Sequence, residues 1–270
     1  MSGTLRNPTI RSGRSFDLGK MNLRQLWVAY LTYPTILLYF ALIAVSFAFA
    51  GHLFAGWRLT IVTVLAVIMI YPLVWYLLHR YVLHGHLLYK SRFTAALWKR
   101  IHFDHHQDPH LLDVLFGGPA TTLPTIGAVT IPVGWLIGGP GTAATAFCAG
   151  VIITCIYEFF HCIQHLNYKP RARWIQRMKA YHVLHHFHDE DGNFGITSYV
   201  VDRALGTYYG EARTRQRSPT VFNLGYTSEQ AERYPWVMRL TGHAPKDRPD
   251  GARPESGERA PPPQGARHVA

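Results

Sequence analysis

Cysteine is almost absent from this 270-residue chain, with only Cys148, Cys155 and Cys162 at sevenfold spacing and no CxxC pair. That pattern excludes a disulfide framework and an iron–sulfur ligand set, and leaves the three as small packing residues. No HExxH signature is present, which removes the usual helix-borne zinc hydrolase, and no glycine-rich flavin or dinucleotide fingerprint occurs. Charge is also scarce. Acidic residues number 16 against 27 Lys and Arg, and three stretches hold no charge of either sign: Leu26 to Gly51, Leu59 to Leu78 and Val114 to Tyr157.

A charge-free apolar run of roughly 20 residues is long enough to cross the hydrocarbon core of a bilayer as a helix. The first two runs each meet that length. The third is long enough for two crossings, and Gly138-Gly139-Pro140-Gly141 near its middle is a turn signal. The reading is an all-α integral membrane protein with four transmembrane helices in two hairpins, spanning about 26–50, 59–78, 121–137 and 142–160. The third span carries Pro124 and Pro132, so a kinked or re-entrant course is an open alternative. A cytosolic helical cap at 79–118 and 161–213 completes a membrane domain over 25–213. An N-terminal tail (1–24), a peripheral C-terminal segment (214–243) and a disordered Pro-, Gly- and Arg-rich tail (244–270) flank it. The acid-poor start resembles a transit peptide but lacks the apolar core of a cleavable signal, and a plain cytosolic tail is expected.

With both hairpins entering from one side, 26 of the 27 Lys and Arg share that side and only Arg58 lies opposite. Basic residues favour the cytoplasmic face, so the cap is expected there. The net charge of +11 is then explained by juxtamembrane cations facing anionic lipid, and no nucleic-acid partner is expected. Docking of an acidic electron donor is a secondary use of the same charge.

Against this scarcity stand 16 histidines, ten of them in four clusters near the span ends: His79/His84, His102/His105/His106, His161/His165 and His182/His185/His186. Positions i, i+3 and i+4 of a helix share a face, so each HxxHH can converge. Adjacent histidines point about 100° apart, which suits one ring feeding each of two metal ions. The pair His79 and His84, at i and i+5, diverges on an ideal helix and requires local unwinding or ligation of different ions. The order repeats: a span ends in a histidine pair, and an HxxHH follows after 17 or 18 residues. His52, His86, His110, His188, His243 and His268 are isolated and are read as packing or surface residues. Five nitrogens per metal exceed the closed four-coordinate shell of structural zinc and leave one octahedral position open, which favours two iron ions; zinc can occupy such a site in isolated protein.

The order HxxxxH, HxxHH, HxxxH, HxxHH resembles the membrane fatty acid hydroxylase and sterol desaturase superfamily. Trp75-Tyr-Leu-Leu-His-Arg-Tyr-Val-Leu-His84, Tyr157-Glu-Phe-Phe-His-Cys-Ile-Gln-His165, Tyr181-His-Val-Leu-His-His186, Phe194-Gly-Ile-Thr-Ser198 and Asp202-Arg-Ala-Leu-Gly-Thr207 most resemble its fatty acid 2-hydroxylase branch. Leu166 stands where a further adjacent histidine would extend the third box. The resemblance implies that all ten histidines ligate a diiron centre, and that O2 and two electrons serve to hydroxylate an acyl chain at C2. No fused cytochrome b5 domain is recognisable, so the resemblance implies a separate donor, cytochrome b5-like or ferredoxin-like, and the host membrane is expected to be a bacterial cell membrane. Metal-bound imidazoles commonly donate their other N–H to a carboxylate. Asp104, Glu158 and Asp202 are the candidates, each weighed against an ordinary solvent-facing or helix-end charge. Trp75, Tyr76 and Tyr157 are candidates to line a substrate tunnel opening where the second and fourth spans meet the cap, or else belong to the interfacial aromatic belt. Two other readings compete. One is a sterol or carotenoid desaturase or hydroxylase of the same superfamily; the other is a redox-silent zinc membrane protein.

Overall fold

The structure, a computed structural model, describes residues 16–242 and Pro245. His243, His268, the first fifteen residues and nearly all of the tail expected to be disordered lie outside the described residues. The regular structure among those described is helical, and the one β-type pairing among them is an isolated bridge between Asp17 and Leu111. Six helices carry the architecture: α1 (Leu23–Leu31), α2 (Pro34–His52), α3 (Trp57–Leu77), α4 (Pro119–Gly138), α5 (Pro140–His165) and α6 (Arg173–Phe187).

Four of them, α2 to α5, are long and apolar enough to cross a membrane. Their outward faces carry bare apolar side chains such as Phe47, Met69 and Leu136, as expected of helices solvated by lipid. The first apolar stretch is divided rather than continuous from residue 26. Its first turns form α1, opened by a capping box in which Asn22 and Gln25 each bond the other's backbone N–H. Pro34 has no N–H to continue that helix and holds Tyr33 in extended backbone, so the spanning helix starts at the proline.

Helix α4 runs unbroken through Pro124 and Pro132. The hydroxyls of Thr125 and Thr130 bond back to the carbonyls of Thr121 and Ile126 at 2.9 and 2.7 Å. Close packing on α5 supplies the rest of the support for a proline-bearing helix. The two helices turn at Gly139, whose φ of +81° only glycine adopts readily.

Helix α5 is the central span. Of its apolar core, 61% is buried inside the protein, against 17% for each of the other three. Small residues make this possible by letting backbones approach. A Cβ added to Gly134 would lie 2.4 Å from the carbonyl oxygen of Thr142. Helix α5 also outlasts its apolar run, carrying His161 and His165 rigidly out of the span.

The cap is built from α6, short helical turns between residues 87 and 115, and the chain beyond 188. The segment 214–242, expected to be peripheral, packs into this cap through Val221, Leu224, Tyr226 and Val237. Tyr226 meets Tyr89 and Trp98 edge-on, and the Trp236 indole donates to the carbonyl of Tyr89 at 2.9 Å.

Gly134→Val is expected to destabilise the α4–α5 hairpin by about 1–3 kcal/mol through overpacking. Gly51→Ala, where a Cβ meets nothing within 4 Å, is the control. The thermal unfolding midpoint of the solubilised protein checks this: it should fall for the first variant and hold for the second.

Candidate metal centre

All ten clustered histidines meet in the cap just beyond the ends of α3 and α5, each 7% exposed or less. The i, i+5 pair is reconciled by local unwinding. Residues Leu78–Leu83 form a π-helical turn closed by His84 N–H on the carbonyl of His79 at 3.0 Å. A wider turn brings the fifth residue back over the first, and the two rings lie 4.8 Å apart. A second π turn, Lys99–Phe103, precedes the short helix bearing His105 and His106.

The rings divide into two sets. In the first, ligand nitrogens of His105, His161, His165, His182 and His186 all lie within 4.8 Å of one another. In the second, those of His79, His84, His102 and His185 do the same, and the His106 ring stands 4.7 to 5.1 Å from His84, His102 and His185. Each HxxHH therefore gives its first and third histidines to the set of the span-end pair that precedes it, and its middle histidine to the other set. His106 and His186 stack at 4.2 Å where the two sets touch.

Three rings of the second set are oriented by backbone carbonyls. His79, His106 and His185 each place Nδ1 on a carbonyl, of Phe194 (2.5 Å), Val221 (3.0 Å) and Gly192 (2.7 Å). A carbonyl can only accept, so Nδ1 carries the proton and Nε2 presents a bare lone pair inward. Around His102, Nε2 lies 3.0 Å from that of His79 and 2.9 Å from that of His84. One ring nitrogen holds at most one proton, so it cannot satisfy both neighbours. In the first set, His182 Nε2 is likewise 3.1 Å from His161 and 2.8 Å from His165. His105 and His186 have no partner at either ring nitrogen. Buried polar atoms are normally paired. Orphaned nitrogens aimed at shared centres fit metal ions, and these two sets could hold them.

Burial holds the cap imidazoles neutral. His102, His105, His106, His182 and His186 are all pushed well below the ordinary histidine value, and His185 down to about 3, mainly by removal from water and then by neighbouring rings. Neutral imidazole is the form that binds metal.

The carboxylates expected behind the histidines are not where that role requires. Asp104 pairs with Lys99 at 2.6 and 2.8 Å, because the π turn swings Lys99 over it. Glu158 is buried, its Oε2 has no hydrogen-bond partner, and no histidine bonds to it. Asp202 acts at one remove. It accepts the N–H groups of Phe194 and Gly195 and the hydroxyl of Thr207, all at 2.8 Å, and so fixes the loop whose Phe194 carbonyl orients His79. Gln164 braces the same loop through the carbonyl of Ile196 at 2.7 Å. Backbone carbonyls leave no side-chain signature, so the partners at Gly192, Phe194 and Val221 have none in the sequence. His188 bonds the carbonyl of Arg215 and His110 that of His165, both outside the two sets.

An apolar cavity of about 360 Å³ opens from the histidines and runs between α3, α4 and α5, reaching Val67, Thr130 and Gly150. Trp75 and Tyr157 line it, with His79, His102, His105 and His161 at one end. Tyr76 does not line it. It faces the cap, bonded to Thr207 at 3.1 Å and to Arg80 at 2.7 Å, because adjacent residues of α3 point to different sides.

Four apolar helices long enough to span a bilayer, with a histidine-lined cap at their ends, define a class of membrane protein. The sequence model "Fatty acid hydroxylase" matches residues 64–207, and the chain belongs to that family. It is similar to the fatty acid 2-hydroxylase of Rattus norvegicus, at 27% identity over 53% of this chain and 38% of the relative. It is also similar to the dihydroceramide fatty acyl 2-hydroxylase FAH1 of Arabidopsis thaliana, at 32% identity over 49% of this chain and 54% of the relative. The chain thus spans between about two-fifths and just over half of these relatives. A solved structure described as full-length scs7p, with only its hydroxylase domain visible, shares the fold at a TM-score of 0.55 and 22% identity, over 74% of this chain and 71% of that one.

Because the native state binds fewer protons than the unfolded one, stability falls as pH drops through the unfolded imidazole value near 6.5, and keeps falling toward the folded values. Lowering pH from about 7.5 to about 5 should depress the thermal midpoint of the metal-free chain. An unchanged or rising midpoint would contradict neutral burial of these rings.

Proposed function

We propose that this chain is a membrane-bound non-haem diiron oxygenase that hydroxylates the acyl chain of a fatty acid or acyl lipid, at C2, with O2 and two electrons from a separate carrier. What carries the reading is one juxtaposition: two buried all-nitrogen sets, side by side, at one end of an apolar cavity that descends between spanning helices. The first set supplies five nitrogens, and the second five with His106. A nitrogen-rich, five-ligand shell with room for another ligand suits iron better than the closed four-ligand shell of structural zinc, although zinc can fill the site in isolated protein. The bound metal pair would supply O2 activation and the oxidant that takes hydrogen from a C–H bond.

The chain's own residues supply position and dryness. The cavity extends from His161 to Gly150, eleven residues of α5, or roughly 16 Å at the helical rise. An acyl tail lying along it points into the bilayer, with its polar end at the cap, where the histidines are. The carbon presented to them is then one near the polar end, consistent with the 2-hydroxylase names of the relatives. Apolar walls exclude water, and the π turn, α5 and α6 hold the imidazoles on rigid elements.

The cytoplasmic placement of the cap is supported by the basic residues, since among the described residues nearly all Lys and Arg fall on the cap side of the two hairpins. They also suit docking of an acidic cytochrome b5-like or ferredoxin-like donor. The roughly 16 Å reach of the cavity along α5, between apolar walls, suits an extended acyl chain.

Expression in a lipid-defined host should produce new 2-hydroxy acyl species. After anaerobic iron loading, the wild type should consume O2 on addition of reductant and lipid. His105→Ala should lower that uptake by more than about 100-fold, beyond what loss of a ligand's hydrogen-bond partner costs. Altered sterol or carotenoid with unchanged acyl chains would overturn the substrate assignment; tightly held zinc with no uptake would overturn the oxygenase.

A further inference from the structure

The two histidine sets differ in what stands behind their rings. In the second set, the Nδ1–H groups of His79 and His185 are held by the carbonyls of Phe194 and Gly192, two residues apart in one short loop, and that of His106 by the carbonyl of Val221. In the first set, Nδ1 of His105, His182 and His186 is buried without a partner; in the second, only that of His84 is. The Phe194 ring also meets His84, His79 and His185 edge-on at 5.2 to 5.8 Å, all three in the second set. Loop 192–194 therefore grips one set and bonds no ring of the other.

Side chains from three other segments hold that loop. Asn193 takes left-handed backbone at a φ of +55°, which asparagine tolerates, and its amide bonds the N–H and the carbonyl of Tyr209 at 3.0 and 2.8 Å. Asp202 accepts the N–H groups of Phe194 and Gly195, and the Thr207 hydroxyl donates to it. Thr207 has its one proton engaged there, so at Tyr76, 3.1 Å away, the phenol is the donor. Arg80 closes the far end. It donates to the Tyr76 oxygen at 2.7 Å, and its guanidinium lies 5.8 Å over the Phe194 ring. Each hydroxyl thus has one direction, from Arg80 through Tyr76 and Thr207 to Asp202, and neither is free to turn.

We propose that loop 192–194 makes the two metal positions unequal: the second set, pre-oriented by it, takes the first ion and holds it more tightly, and Arg80, Tyr76 and Thr207 are positioning residues for that set. An imidazole whose Nδ1–H is fixed on a carbonyl presents Nε2 in one tautomer and one orientation, and is the more basic ligand. Rings with no such partner must settle both when an ion arrives, and their set binds more weakly for it. The difference is large enough to measure, since loss of one outer partner costs about 10- to 100-fold in metal affinity. This ordering rests on the two-metal reading above, but neither on iron nor on oxygenase chemistry.

The test is an anaerobic titration of the metal-free full chain in detergent micelles with Co2+, followed by its visible absorption. The wild type should take up two ions in steps at least about tenfold apart in affinity. His102→Ala should weaken the tighter step and His182→Ala the weaker one, which assigns each step to its set. Thr207→Val and Tyr76→Phe should each weaken the tighter step by about tenfold or more and leave the other within about twofold, and Thr207→Ser should restore it. A loss of fold alone would weaken both steps together. Steps of equal affinity, a tighter step that answers to His182→Ala instead, or one no more affected than the weaker step in both Thr207→Val and Tyr76→Phe, would overturn the inequality. A single step, lost in His102→Ala and kept in His182→Ala, upholds the inequality and overturns the reading of two metal centres. No Co2+ uptake at all overturns the metal reading and the inequality with it. Ordered uptake, with no O2 consumption by the iron-loaded wild type, upholds the inequality and overturns the oxygenase.

Discussion

Ten imidazoles buried without charge at the edge of a bilayer are the constraint on which the rest of this structure depends. Each ring brings one nitrogen that needs a proton acceptor and one lone pair that needs something to hold, and the interior offers no water to supply either. For His79, His106 and His185 the first need is met by carbonyls of the loops at Gly192, Phe194 and Val221. That explains why loops with no ligand of their own are so firmly held: Asp202 and Gln164 secure one, and the packed segment around Tyr226 secures another. The second need, lone pairs converging on common centres, is the one that metal ions would meet.

The two sets are built by one rule applied twice. A spanning helix delivers a histidine pair, and the following HxxHH adds two rings to it and lends its middle ring across to the other set. Because each set depends on the opposite half of the cap, neither hairpin can form its set alone. The stacked contact of His106 and His186 joins the halves where the two sets meet. The halves differ in how the span ends. Helix α5 stays α-helical, so its histidines sit at i and i+4, whereas α3 passes into a π turn and needs i and i+5.

Much of this was legible in the sequence. Charge-free runs gave the four spans, and the spacing of His79 and His84 already demanded a departure from the α-helix, since those rings would otherwise point apart. The middle histidine of HxxHH, about 100° from its neighbour, hinted at the sharing between sets. What the sequence concealed follows from its physics. The proline that splits α1 from α2 lies within an unbroken apolar run, where hydropathy is blind to backbone donors. Asp104 is next to a ligand in sequence, yet a π turn gives its carboxylate to Lys99. Tyr76 and Trp75 are neighbours that face different sides of α3. The partners of His79, His106 and His185 are backbone carbonyls, which every residue carries.

The central claim is that the ten histidines make two nitrogen-lined metal centres rather than one, or none. Metal content and X-ray absorption of the full chain after anaerobic loading with ferrous iron test it most directly. About two iron ions per chain are expected, each bound mainly by imidazole nitrogen. A single ion per chain, or shells rich in sulfur or carboxylate oxygen, would contradict it.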